Sequence, residues 1–552
     1  MTYLYTPQQG YSMKKYLIIL FLLCSSIASA ATVNVADYGD GTCSKANFDS
    51  AYAAASADDT ITFPVSGSCT WTATTTIAKA VTVNGNGTTL TASGTLTNGF
   101  FRVENTASAD GVFRITGFTF KGEGEATRLV YVYALTSPNL RIDNNSFYDG
   151  LSPALDVLTS FGVIDNNYFY NNGAAIYGGA GSRALQDASW ATMSPGTVNA
   201  LFIENNHFII NASYKFATTG NQIDLTAGGK FVIRYNEFDA DDSPLTSNWY
   251  CMQNHGNMTA YWQNSSTGRR SPAIVEIYNN YAHGAYLARF TTLRGGSQLI
   301  YNNTIVSAHY TPIISLYEEE VNLLGQFNPA RTAWPAEDQV HNTFFWGNTF
   351  NGNAQSDAYI LVQTTGTYPS GEFIQKNRDY FLHAPCAAAG DCTHGKETFT
   401  DANGAAGSNP TDGDPYATEG TMEFTATGDN AYYPYTAYTC PHALVDPTAV
   451  LECDSASRGA GVTGGYGLTQ ESAYYNVTLS VTGSGTLSPG TTQSVISGGN
   501  GSAVTATPIN GAWKFTGWSG TCGCTGTSTC TPTNVTGACT AEATFESVPL
   551  LN

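Results

Sequence analysis

One six-residue pattern, apolar-x-Asn-Asn-x-aromatic, recurs through the first two thirds of the chain and restricts the fold more than any other feature. It stands as Ile142-Asp-Asn-Asn-Ser-Phe147, Ile164-Asp-Asn-Asn-Tyr-Phe169 and Ile203-Glu-Asn-Asn-His-Phe208. Looser copies begin at Ile233, Ile277, Ile300 and Phe345, and Ile115-Thr-Gly-Phe-Thr-Phe120 keeps the frame without asparagine. The second asparagine falls at 145, 167, 206, 236, 280, 303 and 348, at intervals of 22, 39, 30, 44, 23 and 45. The short intervals define a unit of 22–23 residues; the longer ones hold insertions or a further coil. The flanks are short, β-branched and aromatic, so the unit is built of strands and not of helix. A unit this short cannot bury its own apolar face and must stack on its copies. In such a stack asparagine tolerates the left-handed turn and can bond from coil to coil as a ladder. The isoleucines and phenylalanines then form the core.

This organisation resembles the right-handed parallel β-helix of the pectate lyase-like superfamily. Ala46-Asn-Phe-Asp-Ser-Ala-Tyr-Ala resembles that superfamily's short N-terminal capping helix, and Ile61-Thr-Phe-Pro and Val81-Thr-Val-Asn-Gly-Asn-Gly its first coils. The resemblance implies an all-β fold over residues 31–470. It does not choose among activities, because lyases, hydrolases, phage tailspikes and adhesins share the architecture. From residue 471 the texture changes to Thr/Ser/Gly-rich alternation. Trp513-Lys-Phe-Thr-Gly-Trp-Ser-Gly520 and Ala541-Glu-Ala-Thr-Phe545 resemble bacterial repeat modules appended to surface and secreted proteins. Residues 471–552 are therefore expected to form a small cysteine-containing β domain, serving as cell-wall or surface attachment or as a spacer.

The compartment follows from the N-terminal stretch and the cysteines. Lys14 and Lys15 precede an apolar run that leads to Ala28-Ser29-Ala30, the pattern of a secretory signal over residues 1–30 with Met13 as the better start. Leu23 stands where a lipoprotein signal before Cys24 wants a small residue. Secretion favours disulfides, with Cys43/Cys69, Cys386/Cys392 and Cys440/Cys453 as local pairs, four cysteines crowded between 522 and 539, and Cys251 left over. The chain has 23 Lys and Arg against 43 Asp and Glu, a net charge of −20, which excludes a general nucleic-acid binder. A monomer secreted or held at the cell surface is expected.

The charge is not uniform. From Ser243 to Tyr317 the only acid is Glu276, against Arg269, Arg270, Arg289 and Arg294. Trp249, Tyr261 and Trp262 share this stretch. Guanidinium groups match carboxylates and sulfates bidentately, and aromatic faces stack on sugar rings, so the stretch suits an anionic polysaccharide. Aligning Gly228-Gly229 with Gly295-Gly296 places Ala227 over Arg294 and Asp224 over Thr291. Matching Gly256 with Gly295 sets His255 beside Arg294, with Tyr317 and Glu318 at the same edge one coil later. The strand Leu287–Arg294 then occupies the face that pectate lyase-like enzymes use for catalysis.

For a uronic-acid polymer the expected chemistry is β-elimination: the carboxylate is neutralised, a base removes the α-proton, and an acid assists the leaving oxygen. Arg289 and Arg294 would neutralise, and His255 or a tyrosine would act as base. Arg269, Arg270, Trp249, Tyr261, Trp262, Tyr317 and Glu318 would bind substrate. The segment from Gly268-Arg-Arg to Arg294-Gly-Gly is faintly similar to calcium-assisted β-helix lyases of the alginate and chondroitin type. Those use a Lys–Arg pair; here the Thr226 region stands at the lysine position and Lys230 on the next strand. Calcium could be held by Asp401-Ala-Asn-Gly404 or Asp412-Gly-Asp414, although neither is a complete loop signature. A hydrolase needs paired carboxylates; Asp239, Asp241, Asp242 and Glu318 to Glu320 are the candidates, without tight aspartate motifs. The alternative to an enzyme is a non-catalytic adhesin, glycan-binding or structural surface protein.

Overall fold

The computed structural model describes residues 30–179, 193–210, 220–240, 249–255, 271–307, 314–316, 340–362, 374–385, 435–445, 474–496 and 503–548, with short breaks inside several spans. Each repeat supplies one strand to each of three sheets of parallel strands, and among the described residues these hold twelve, eleven and ten strands. The first sheet runs from Thr32–Asn34 to Tyr380–Phe381, the second from Ser68–Trp71 to Asn353–Ala354, and the third from Thr75–Ile77 to Ile360–Val362. Only the last strand of the second sheet pairs antiparallel. The fold is a parallel β-helix followed by a small β domain.

The asparagine pair joins the first sheet to the second, and its two members have separate tasks. The first of the pair takes the left-handed conformation, with φ of 55° at Asn144, 54° at Asn166, 56° at Asn205, 55° at Asn279 and 53° at Asn302. Glycine holds this position at Gly117 and Gly347, and Tyr235 holds it at φ 56° despite its bulk. The second of the pair is wholly buried and builds the ladder. The backbone N–H of Asn206 donates to Asn236 Oδ1 at 2.9 Å, and its Nδ2 donates to the same oxygen at 3.1 Å. That Nδ2 also donates to the carbonyls of Ile164 and Glu204. The same bonds repeat from Asn145 to Asn348, where Gln355 Oε1 accepts the last amide at 2.6 Å.

The inward residues stack in columns. Phe120, Phe147, Phe169, Phe208 and Phe238 lie 4.8–5.2 Å apart with rings within 15° of parallel. Ile142, Ile164, Ile203, Ile233, Ile277 and Ile300 follow one another in register. The N-terminal end is closed by a helix, Lys45–Ala54, whose N-cap Ser44 accepts the N–H of Asn47. Phe48 on this helix packs on Phe63, Trp71 and Phe101, and the Cys43–Cys69 disulfide ties the entry segment to the first coil.

Each long asparagine interval is a single coil, since Ile164 pairs with Ile203, Ile233 with Ile277 and Ile300 with Phe345. No further coil is hidden in them. The extra residues enter at the two borders of the third sheet, between its strands and those of the second or first sheet.

In the C-terminal domain, Tyr474–Thr482, Thr492–Ile496, Trp513–Ser519 and Cys539–Ser547 form one sheet, and Gly485–Ser488 pairs with Thr505–Pro508. Val477, Trp518, Ala541 and Phe545 fill its core, fastened by the Cys522–Cys539 and Cys524–Cys530 disulfides.

Candidate functional site

The third sheet carries polar side chains on its outward positions. Arg102, Tyr131, Asp156, Tyr177, Asp224, Gln253, Thr292 and Ser315 form one row in register. The flanking rows of Ile176, Ile223 and Met252, and of Val157, Leu225 and Leu293, face the core. Asn254 pairs with Leu225 and Leu293, so the next position holds Thr226, His255 and Arg294 side by side. His255 continues the ladder, its N–H donating to Leu225 O at 2.9 Å.

This register corrects the sequence-based alignment by one residue. Asp224 stands over Gln253 and Thr292, not Thr291, and Thr226, not Ala227, takes the position of Arg294. Gly229, Ala273 and Gly296 remain in line in the first sheet, because Lys230, Ile274 and Ser297 pair there. The turn from Thr226 to Gly229 is thus one residue longer than that from Arg294 to Gly296, and a glycine-anchored alignment slips by that residue.

His255 is held from both sides. Its Nδ1 lies 2.6 Å from Asp224 Oδ1 and its Nε2 lies 2.9 Å from Gln253 Nε2. An amide nitrogen only donates, so these partners assign Nε2 as acceptor and place the ring proton on Nδ1, toward Asp224. The ring is buried, and both nitrogens have partners inside the protein. Arg289 pairs with Tyr250 near the start of strand Leu287–Leu293, five residues and about 16 Å of strand from Arg294. The sheet register therefore sets His255 beside Arg294 and places Arg289 apart from both.

Trp249 lies in the strand between Gly220 and Leu287. Arg269, Arg270, Tyr261, Trp262, Tyr317 and Glu318 lie outside the described residues, as do the candidate calcium segments, Asp241, Asp242, Glu319 and Glu320. Asp239 belongs to the second sheet, 3.8 Å from His283, and so is not on the third-sheet face. Among the described residues no group of three His, Cys, Asp or Glu side chains is placed to hold a metal. Cys251 is a buried free thiol, and burial holds its pKa well above the usual range.

A second polar assembly, on the first sheet, was not anticipated from the sequence. The residue before each asparagine pair forms an outward row of Asp143, Asp165, Glu204, Arg234, Tyr278, Tyr301 and Trp346. Residues 435–445 run along this row as a strap. Arg234 donates to the carbonyls of Tyr438 and Thr439 at 2.6 and 3.0 Å, and Arg141 to that of Leu444 at 3.0 Å. Glu204 accepts the His442 N–H at 3.0 Å, and Glu276 accepts the Tyr435 hydroxyl at 2.6 Å. Beneath the strap Arg234 pairs with Glu204 and Arg141 with Asp165. Burial raises the pKa of Glu276 and pushes that of His442 down to about 4, with the Arg234 and Arg141 charges adding to the effect. The signal available in the sequence was the change of this outward position from charged to aromatic side chains at Tyr278, Tyr301 and Trp346, which exposed positions do not require.

Residues 475–549 match the family model of the divergent InlB B-repeat domain. No pectate lyase family model matches the coils, and no curated protein matches the chain. The C-terminal domain is thus similar to a bacterial surface-protein repeat. Together with the disulfides and the β-helix it is consistent with an extracellular or cell-surface protein.

Proposed function

We propose that this is a secreted surface protein that binds an acidic polysaccharide on the third sheet without cutting it, with Arg294 and the arginine-rich insertion meeting the sugar acids and the C-terminal domain providing attachment. The observation that carries the reading is the engagement of His255 by both Asp224 and Gln253, which leaves neither ring nitrogen to take a proton from a substrate. A base must reach that proton within hydrogen-bond distance. Glycan retention needs no such base.

Cleavage by β-elimination is the second reading, favoured by the contact of Asp224 with His255 next to Arg294. The two are separated by incubating the purified protein with polygalacturonate, alginate and sulfated glycans, with and without calcium. Ultraviolet absorbance of unsaturated products, reducing ends and retention in glycan-containing gels are followed. Retention that weakens in Arg294→Ala, with no new absorbance or reducing ends, is the expected result. Absorbance that disappears in His255→Ala would establish elimination in its place, and failure to bind any acidic glycan would refute both readings.

A further inference from the structure

The third sheet carries another cluster four strands before Gln253, about 19 Å away along the same face. Tyr131 and Tyr133 are two residues apart on Val130–Tyr133, with ring centroids 5.6 Å apart. Arg102 on the neighbouring strand lies over both rings, 5.5 and 5.0 Å from their centroids. Arg128 lies 4.9 Å from Tyr131, so guanidinium contacts concentrate on that ring. Tyr133 is 42% exposed, one of the few large hydrophobic side chains so open.

The charges around it are matched internally. Arg102 pairs with Glu104 and Arg128 with Asp156, and Arg128 also donates to Thr97 O at 2.9 Å. Among the described residues these two arginines and two acids leave no net charge to attract an anion. What the cluster offers is an open aromatic ring beside partly exposed guanidinium donors and a partly exposed carboxylate acceptor. Sugar hydroxyls both donate and accept, and the C–H face of a pyranose stacks on an aromatic ring. We propose that Tyr133, with Arg102 and Glu104 beside it, is a binding site for an uncharged sugar residue, separate from the acidic-glycan site at Arg294. An uncharged ligand is expected here because the described charges of this cluster are paired with one another.

The test measures retention of the full-length mature protein in gels containing dextran, xylan or galactomannan as uncharged chains and polygalacturonate as the acidic one. The proteins are wild type, Tyr133→Ala, Tyr133→Phe and Arg294→Ala. Loss of an aromatic stack lowers affinity about 2- to 12-fold, so Tyr133→Ala should weaken retention by an uncharged chain by that factor. Tyr133→Phe should stay close to wild type, and polygalacturonate binding should not move. Equal retention of wild type and Tyr133→Ala on every uncharged chain, or no retention of wild type on any of them, would overturn the proposal. Sensitivity to polygalacturonate in Arg294→Ala decides the acidic site separately.

Discussion

Replacing Arg234 by methionine tests the logic of the strap. Arg234 is fully buried. Its guanidinium bonds Glu204 through Nε at 2.7 Å and Nη2 at 2.6 Å, the Tyr278 hydroxyl at 3.0 Å, and the two strap carbonyls. Methionine keeps much of the stem's volume but leaves the buried Glu204 carboxylate with the His442 N–H as its remaining described partner. Breaking one side of a buried ion pair costs about 3–5 kcal/mol. The cheapest relief is for the strap to lift, so that the carbonyls of Tyr438 and Thr439 hydrate. Urea unfolding should therefore show a loss of about 3–5 kcal/mol, and hydrogen exchange should accelerate across residues 435–445 before the coils beneath. Adding Glu204→Leu removes the stranded charge and should recover more than about half of that loss, since an apolar pair replaces a buried ion pair at little net cost. A loss below about 1 kcal/mol for the single variant would show that the pair is hydrated and the strap only loosely seated. A double variant less stable than the single one would refute the assignment of the cost to Glu204.

Three further outcomes follow from the same contacts. Asn236→Ala removes the acceptor of the Asn206 N–H and the amide that bonds Asn280, Ile203 O and Arg234 O; one orphaned buried donor and several lost bonds should cost about 3–6 kcal/mol, checked by urea unfolding and by exchange at Asn206. His442 is neutral in the fold, since its Nδ1 accepts the Leu444 N–H at 3.2 Å and its pKa is about 4 against the ordinary 6.5. A depressed histidine stabilises fully above pH 6.5 and loses that contribution as pH falls toward 4, by about 3 kcal/mol. The difference in stability between wild type and His442→Phe should therefore change across this window and be flat above it. Cys251 should resist thiol reagents in the native protein and react on unfolding, because a buried, protonated thiol is inert; rapid native modification would show that the third sheet opens there.

The contrast between what was legible and what was not lies in the range of the contacts. Asn-Asn spacing, the inward isoleucines and the Phe48 helix express local rules repeated coil after coil, so the β-helix, its ladder and its cap were readable. The side-by-side position of His255 and Arg294 was readable too, because both precede a glycine at the same strand end. The one-residue slip at Asp224 arose where two turns of unequal length were treated as equal. The pairing of His255 with Asp224 spans 31 residues, and no local pattern encodes it.

The strap is the extreme case. Arg141 reaches a carbonyl 303 residues away and Arg234 ones 204 and 205 residues away, so neither partner's neighbourhood carries a trace of the other. Asp143, Asp165 and Glu204 occupy outward positions that a β-helix ordinarily gives to solvent, and alone they describe an ordinary wet face. The change to Tyr278, Tyr301 and Trp346 at the same position breaks that description. A column that begins as acid and ends as stacked aromatic rings, with Tyr301 and Trp346 centroids 4.2 Å apart, implies a cover that is polar at one end and apolar at the other. Residues 435–445 have that polarity in reverse order, Tyr435 lying by Tyr301 and His442 and Leu444 by Glu204 and Arg141. The strap's direction along the sheet is thus set by matching the row's charged side chains to strap backbone groups at one end and its aromatic rings to Tyr435 at the other.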